Sequence, residues 1–418
     1  MQTVSRAFST ATALAAAAAI LGMLVTATPS LAREYNIGLN NDRSGPTQNV
    51  GVPKGEAYHD YIQLFNSKNL LGAGNSIRVI EIDHGYNVPR GLEAYERLKN
   101  EGILILAENS TPISIALTPK VTEDEIVMIT YGFGAGETAY GKRFPWLFMS
   151  SASYASQAAT AIQYIEKYSK TPMKDLKIAF LFWDSPAGRE PMAIIEALSK
   201  RLGFELRTFA VPPPGIEMRP QVLDIARRYK ADYVVEHVFG RAGGVQFKEF
   251  SRVGFPMDRL VGLTWVGAEA DIEVAGWDAA QGFISVQAWP AGEHSVYEEI
   301  RALKRKLGQK PSPMMSSTVY YNSGLGGAMV ASEGIRRAVE KNGPNITARH
   351  VRDAFETFRQ FDGDGGFLVP VTITEEDHEG GGYAAVYQVQ GKGFKTLETG
   401  MRGYRDTVTE YLFSAKDK

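Results

Sequence analysis

Along most of this chain, short apolar runs alternate with polar-turn residues and with segments whose apolar residues recur every three or four positions. Tyr35 to Leu39 is such a run, followed by the turn-forming Asn40-Asn41-Asp42-Arg43-Ser44-Gly45-Pro46. From Gly51 to Asn69, Ala57, Tyr58, Tyr61, Ile62 and Phe65 share one helical face. Ser76 to Ile82 is the next strand and Asp83 begins its exit turn; Asn87 then caps a helix with Pro89 just inside it, running to Asn100. Ile103 to Leu106 is a third run, Asn109-Ser110-Thr111 a capping triplet, and Pro112 suits the first turn of the helix it opens. Ile126 to Ile129 ends in the Gly-rich turn Tyr131-Gly132-Phe133-Gly134.

This alternation predicts a parallel sheet covered by helices, because parallel neighbours need a helix-length crossover. After Phe144 to Phe148 a second round begins: helix Tyr154 to Tyr168, strand Lys177 to Trp183, helix Glu190 to Leu202 and strand Glu205 to Val211. Helix Arg219 to Tyr229, strand Asp232 to Val238, helix Gly244 to Val253 and strands Arg259 to Trp265 and Gly282 to Ala288 complete it. Helices then return at Tyr297 to Leu307, Tyr320 to Asn342 and Thr347 to Thr357, before an apolar run at Gly366 to Ile373 and a terminal β-rich segment, Tyr383 to Val389 with Phe394 to Glu398. The pattern predicts an α/β protein of two doubly wound parallel-sheet lobes, with the late helices crossing back to the first.

The N-terminus carries Arg6, an apolar core from Ala13 to Val25 and the small-residue ending Ser30-Leu31-Ala32, which reads as an export signal cleaved after Ala32; a single membrane anchor is the alternative. Removing residues 1–32 takes away Arg6 and no acid, so a formal charge of −2 becomes −3, a balance that invites neither nucleic acid nor an anionic membrane. The absence of cysteine rules out disulfides and a cysteine-linked lipid, so stability rests on packing. A periplasmic location and a monomeric, membrane-free mature protein are expected.

The Ser44-Gly45-Pro46 turn after the first strand, the Ile82-Asp83 to Pro89 unit, the capped Ser110-Thr111-Pro112 and the Thr130 to Gly134 turn together resemble the type I periplasmic solute-binding proteins of ABC importers. The similarity is to the leucine/isoleucine/valine-binding branch and lies in element order over residues 35 to 390. It implies lobes joined by three hinge crossings, near Phe148 to Ser151, Val286 to Trp289 and Ile373 to Asp377, with an inner-membrane permease as partner. The implied division is 33–150 with 288–374 for the N-terminal lobe, 151–287 with 375–405 for the C-terminal lobe, and a tail at 406–418. By the same resemblance Ser110 and Thr111 meet a ligand carboxylate, and Gly132, Phe133 and Gly134 supply backbone groups. Thr264-Trp265 stand where amino-acid binders carry an acid for the ammonium, and Gly134 replaces their hydroxyl residue; both departures speak against an α-amino acid.

Trp183, Trp265 and Trp289 fall at strand ends or a hinge, with Tyr131, Phe133 and Phe239 at comparable places. Rings there either pack sheet edges or sandwich a flat or apolar ligand body. The expected ligand is a small organic acid with an aromatic or aliphatic body, or a hydrophobic amino acid, and no cofactor is called for. Glu236 and His237 end a strand, and alternation points one of them into the helix layer. Asp377-His378-Glu379 before Gly380-Gly381-Gly382 is either a metal site or, as favoured here, a hinge turn. Gly134 to Glu137 and Gly324 to Gly327 lack phosphate-loop spacing with a lysine, and read as turn and close helix packing. No G-x-S-x-G or H-E-x-x-H string occurs. A non-catalytic binding protein leads; a sensor of the same fold, and a hydrolase using His237/Glu236 or His378/Glu379, are the alternatives.

Overall fold

The structure, a computed structural model, describes residues 32–414; the expected export signal lies almost wholly outside them. β1 (Glu34–Asn41), β2 (Ser76–Asp83), β3 (Ile103–Glu108), β4 (Val127–Thr130) and β5 (Leu147–Met149) form a parallel sheet in the order β2-β1-β3-β4-β5. Their inward residues explain the pairing: Ile37, Leu39, Ile105, Leu106, Val127 and Met128 are all fully buried between helix layers. The register Asn40↔Ile82 and Asn40↔Glu108 brings the carboxyl ends of β1, β2 and β3 level, so the loops that follow open on one side.

The second sheet holds β6 (Lys177–Trp183), β7 (Glu205–Val211), β8 (Tyr233–His237), β9 (Leu260–Gly262), β10 (Ile284–Gln287), β11 (Ala384–Gln390) and β12 (Gly393–Met401), in the order β12-β11-β10-β9-β8-β6-β7. β11 runs antiparallel to both β10 and β12. The tight connection at Gly391, with φ +61, makes a hairpin, since so short a link has no room for a parallel crossover. Helices Ser295–Lys306, Thr318–Asn342 and Ala348–Phe355 return to the first lobe, where Thr318–Asn342 lies along helix Gln48–Ser67. The Gly324 to Gly327 stretch lets them approach: a Cβ on Gly324 would stand 2.2 Å from the Lys54 carbonyl oxygen.

Several expected elements differ. The helix expected from Glu190 starts at Met192, just after Pro191, and a short helix, Pro186–Arg189, forms before it. The strand expected to reach Trp265 stops at Gly262, and Trp265 adopts φ +84, turning out of the sheet. The apolar run Gly366 to Ile373 makes no strand, only a Phe361↔Val371 bridge, after glycines 363, 365 and 366 at positive φ. The expected tail opens with a helix, Arg405–Leu412, that buries Val408 and Leu412.

The Asp377-His378-Glu379 stretch packs against β5 and the start of helix Tyr154–Tyr168. His378 stacks on Phe148 at 4.0 Å, its Nδ1 2.7 Å from the Leu147 carbonyl oxygen. Glu379 accepts from Ser153 N at 3.0 Å and from Ser156 Oγ at 2.5 Å, and pairs with Arg405, which also reaches Asp377 at 2.7 Å. Burial alone would raise the Glu379 pKa, but Arg405 and the two serines outweigh it and hold it below the usual carboxylate range. Arg405 thus joins Asp377 and Glu379, and among the described residues no group of three or more His, Cys, Asp or Glu is placed to hold a metal. His378 and Glu379 are both fully buried.

Candidate functional site

The two lobes are closed on each other. Asn49 Nδ2 donates to Asp271 Oδ1 at 2.8 Å, Tyr320 OH to Asp271 Oδ2 at 2.5 Å, and a Cβ on Gly240 would stand 2.4 Å from the Pro46 carbonyl oxygen. Trp183, Phe239 and Trp265 of the second lobe belong to the same apolar cluster as Ile37, Tyr58 and Tyr131 of the first.

Between the lobes lies a cavity of about 30 Å³. It is built from consecutive loops at the carboxyl ends of strands, the place where open α/β sheets bind ligands. Val50 and Lys54 come from the helix after β1 and Thr47 from its N-cap, Tyr86 from the loop after β2, and Asn109, Ser110 and Thr111 from the turn after β3. Phe133 follows β4; Tyr154, Phe239 and Trp265 close the cavity from the other side.

Ser110 is the N-cap of helix Thr111–Glu123, with Pro112 in the first turn, yet its side chain makes no capping bond. Its buried Oγ has no partner in hydrogen-bond geometry, and neither has Asn109 Oδ1 or Trp265 Nε1. Buried polar atoms are ordinarily satisfied, so these mark a place where a ligand or water completes the set. Lys54 is 2% exposed; its Nζ lies 3.9 Å from the Tyr131 ring centroid and 4.6 Å from that of Trp265. Burial pulls its pKa well below the ordinary lysine value, against a smaller opposing pull from Glu108. Glu108 is itself buried, its pKa pushed well up by desolvation although Asn40 Nδ2 donates to it at 2.7 Å and Asn109 N at 3.0 Å.

Of the residues named from sequence, Ser110, Thr111, Phe133, Phe239 and Trp265 line this cavity. Gly132 and Gly134 do not; Gly132 accepts from Tyr154 N at 2.9 Å and so positions that ring. Trp183 stands edge-on to Phe239 at 4.5 Å, and Trp289 backs Trp265 at 5.5 Å. Thr264 faces into the second lobe, its N donating to Gln157 Oε1 at 3.1 Å. Glu236 points into the helix layer, accepting from Gln246 Nε2 at 2.8 Å, and burial pushes it up to about 8. His237 turns the other way, 4.4 Å from Tyr154, with both ring nitrogens unpartnered and its pKa driven down to about 3 by burial.

Sequence reasoning missed Thr47, Val50, Lys54, Tyr86, Asn109 and Tyr154. One signal was available. Lys54 stands four residues before Tyr58 and seven before Tyr61, on the apolar stripe itself, where an unpaired charge has no structural reason to be.

A family model for periplasmic binding proteins matches residues 34–394. The chain belongs to the periplasmic binding protein family. No curated protein matches it by sequence. Among solved structures, this periplasmic binding protein is similar to one described as an ABC transporter permease from the Pseudomonas fluorescens group, at 28% identity and TM-score 0.82, covering 92% of this chain and 95% of that one. A branched-chain amino acid ABC transporter protein from Thermus thermophilus with bound valine aligns at 22% identity and TM-score 0.78, over 91% of this chain and 99% of that one. A fatty acid ABC transporter substrate-binding protein from Thermomonospora curvata aligns at 16% identity and TM-score 0.74, over 91% and 95%. At these two lower identities the likeness speaks for the fold alone. No helix among the described residues is long and apolar enough to cross a membrane.

Proposed function

We propose that this binding protein is the exported, periplasmic solute-binding component of an ABC importer, related to the leucine/isoleucine/valine-binding branch. It captures a small organic acid between its lobes and delivers it to an inner-membrane permease. The observation that carries this reading is the inter-lobe cavity, where the uncapped Ser110 side chain and the start of helix Thr111–Glu123 meet the rings of Phe133, Tyr154, Phe239 and Trp265. A helix N-terminus attracts a carboxylate, and rings on both sides of a gap favour a flat or aliphatic body.

Ligand contacts made by both lobes stabilise the closed arrangement over an open one, giving a permease two shapes to distinguish. Micromolar capture requires about 8 kcal/mol, within reach of a small molecule enclosed on both sides. The cavity as closed has room for about two waters, so entry of any larger body requires the lobes to part or the rings to turn.

Tryptophan fluorescence and calorimetry against a panel of short aliphatic carboxylates, aromatic carboxylates and hydrophobic amino acids test the reading. Saturable binding of a carboxylate, with a change in tryptophan emission and a smaller radius in solution scattering, is expected. Tight binding of zwitterionic amino acids alone, with carboxylates silent, would overturn the ligand class.

A further inference from the structure

Of the side chains that enclose the cavity, only that of Lys54 carries a formal charge, and none is acidic. A buried ammonium ordinarily sits against a carboxylate, because desolvating an unpaired cation is costly and ring faces return only part of that cost. Among the described residues no carboxylate oxygen comes within 4.0 Å of Lys54 Nζ. Glu108, the acid that acts on it electrostatically, is already engaged by Asn40 and Asn109, and His84 Nε2 stands 3.7 Å from its Oε1. Glu190, whose charge is felt by Tyr86 and Tyr154, is outside the lining and is pushed up to about 8 by burial. The partner that Lys54 lacks is therefore an anion, and the unpartnered Ser110 Oγ and Trp265 Nε1 supply hydrogen bonds beside it.

The geometry points to Lys54 as the residue that reads ligand charge, so that the cleft selects a compact monocarboxylate with an apolar body and discriminates against the same skeleton bearing an ammonium group. This rests on the reading of the cleft as a carboxylate site. An α-ammonium would enter a space that already holds one cation and offers no anionic side chain, so its hydration would be lost without return. A matched amide would forfeit the charge-assisted contact with Nζ.

Calorimetry with two matched trios tests this: 4-methylpentanoate, its amide and leucine; 3-phenylpropanoate, its amide and phenylalanine. Each is measured with the wild type, Lys54→Met and Lys54→Gln. Wild type should bind at least one deamino acid roughly tenfold to a hundredfold more tightly than its amide and its amino acid. Both variants should bind acid and amide alike, and Lys54→Met should melt at or above the wild-type temperature because a buried cation has been replaced by an apolar chain of similar length. A variant that keeps the wild-type preference for acid over amide, or a wild type that binds the deamino acids but binds leucine or phenylalanine more tightly, overturns the role of Lys54 and leaves the cleft reading standing. If none of the six compounds binds the wild type, the carboxylate reading itself fails and this inference falls with it.

Discussion

Asn49 Nδ2 donates to Asp271 Oδ1 at 2.8 Å from one lobe to the other, tying the first helix of the first lobe to helix Glu269–Ala275 of the second. Tyr320 OH reaches the second oxygen of the same carboxylate at 2.5 Å, so one side chain holds two contacts that exist only when the lobes meet. Burial pushes the Asp271 pKa up to about 7. Asp271→Ala should therefore loosen closure while leaving each lobe folded. We expect a larger radius of gyration in solution scattering without ligand, and roughly tenfold weaker capture of a bound carboxylate, the loss of about 1.5 kcal/mol of closed-state hydrogen bonding. An unchanged scattering profile and affinity would show that the contact contributes nothing to closing.

The Arg405 guanidinium joins Asp377 and Glu379 to the final helix, and Glu379 is fully buried. Arg405→Ala leaves that carboxylate without its countercharge and should destabilise the protein by about 3–5 kcal/mol in urea unfolding. Arg405→Met combined with Glu379→Gln removes both charges, and its cost should fall well short of the sum of the single changes. Additive losses would mean that the pair is not coupled.

His84 and His237 are buried, with pKa values lowered to about 4 and about 3, in each case chiefly by desolvation. In the unfolded chain both titrate near ~6.5. Between these values the unfolded state binds more protons than the folded one, so stability is complete above ~pH 6.5 and is lost as pH falls toward the folded pKa. Each histidine should cost about 1.4 kcal/mol per pH unit in that window. Urea midpoints at pH 7 and pH 5 measure the slope, and His237→Phe should remove one histidine's share of it. An equally steep slope in the variant would place the acid sensitivity elsewhere.

Gly132 has φ +83, and a Cβ there would lie 2.2 Å from the Ala152 carbonyl oxygen. Gly102 also has positive φ, +69, but a Cβ there would meet nothing within 4 Å. Gly102→Ala should cost about 1 kcal/mol from backbone strain alone. Gly132→Ala should cost more, because the Ala152 backbone must shift. It should also weaken ligand capture, since Tyr154 N hydrogen bonds to the Gly132 carbonyl. Thermal melts and calorimetry of the two variants separate strain from collision.

Periodicity and turn chemistry in the chain determined the α/β architecture, because a strand or helix is encoded within a few neighbouring residues. Thus Asn87 caps its helix through a bond from Arg90 N at 3.1 Å, and Ser110 with Pro112 opens another. The same local logic pointed to strand-end loops, and hence to Ser110, Thr111, Phe133, Phe239 and Trp265. It did not separate Phe239, on the cavity wall, from Trp183 behind it, since both end apolar strands. It also read the segments of β11 and β12 as β-rich and placed them on the second lobe, but not as an antiparallel pair, because strand direction depends on a distant partner. Tertiary structure alone decided that Lys54 lies against Tyr131 and Trp265 without a carboxylate, for that isolation is set by three segments far apart in the chain. A charge on an apolar stripe is visible in sequence; which partner it lacks is a property of how the lobes meet.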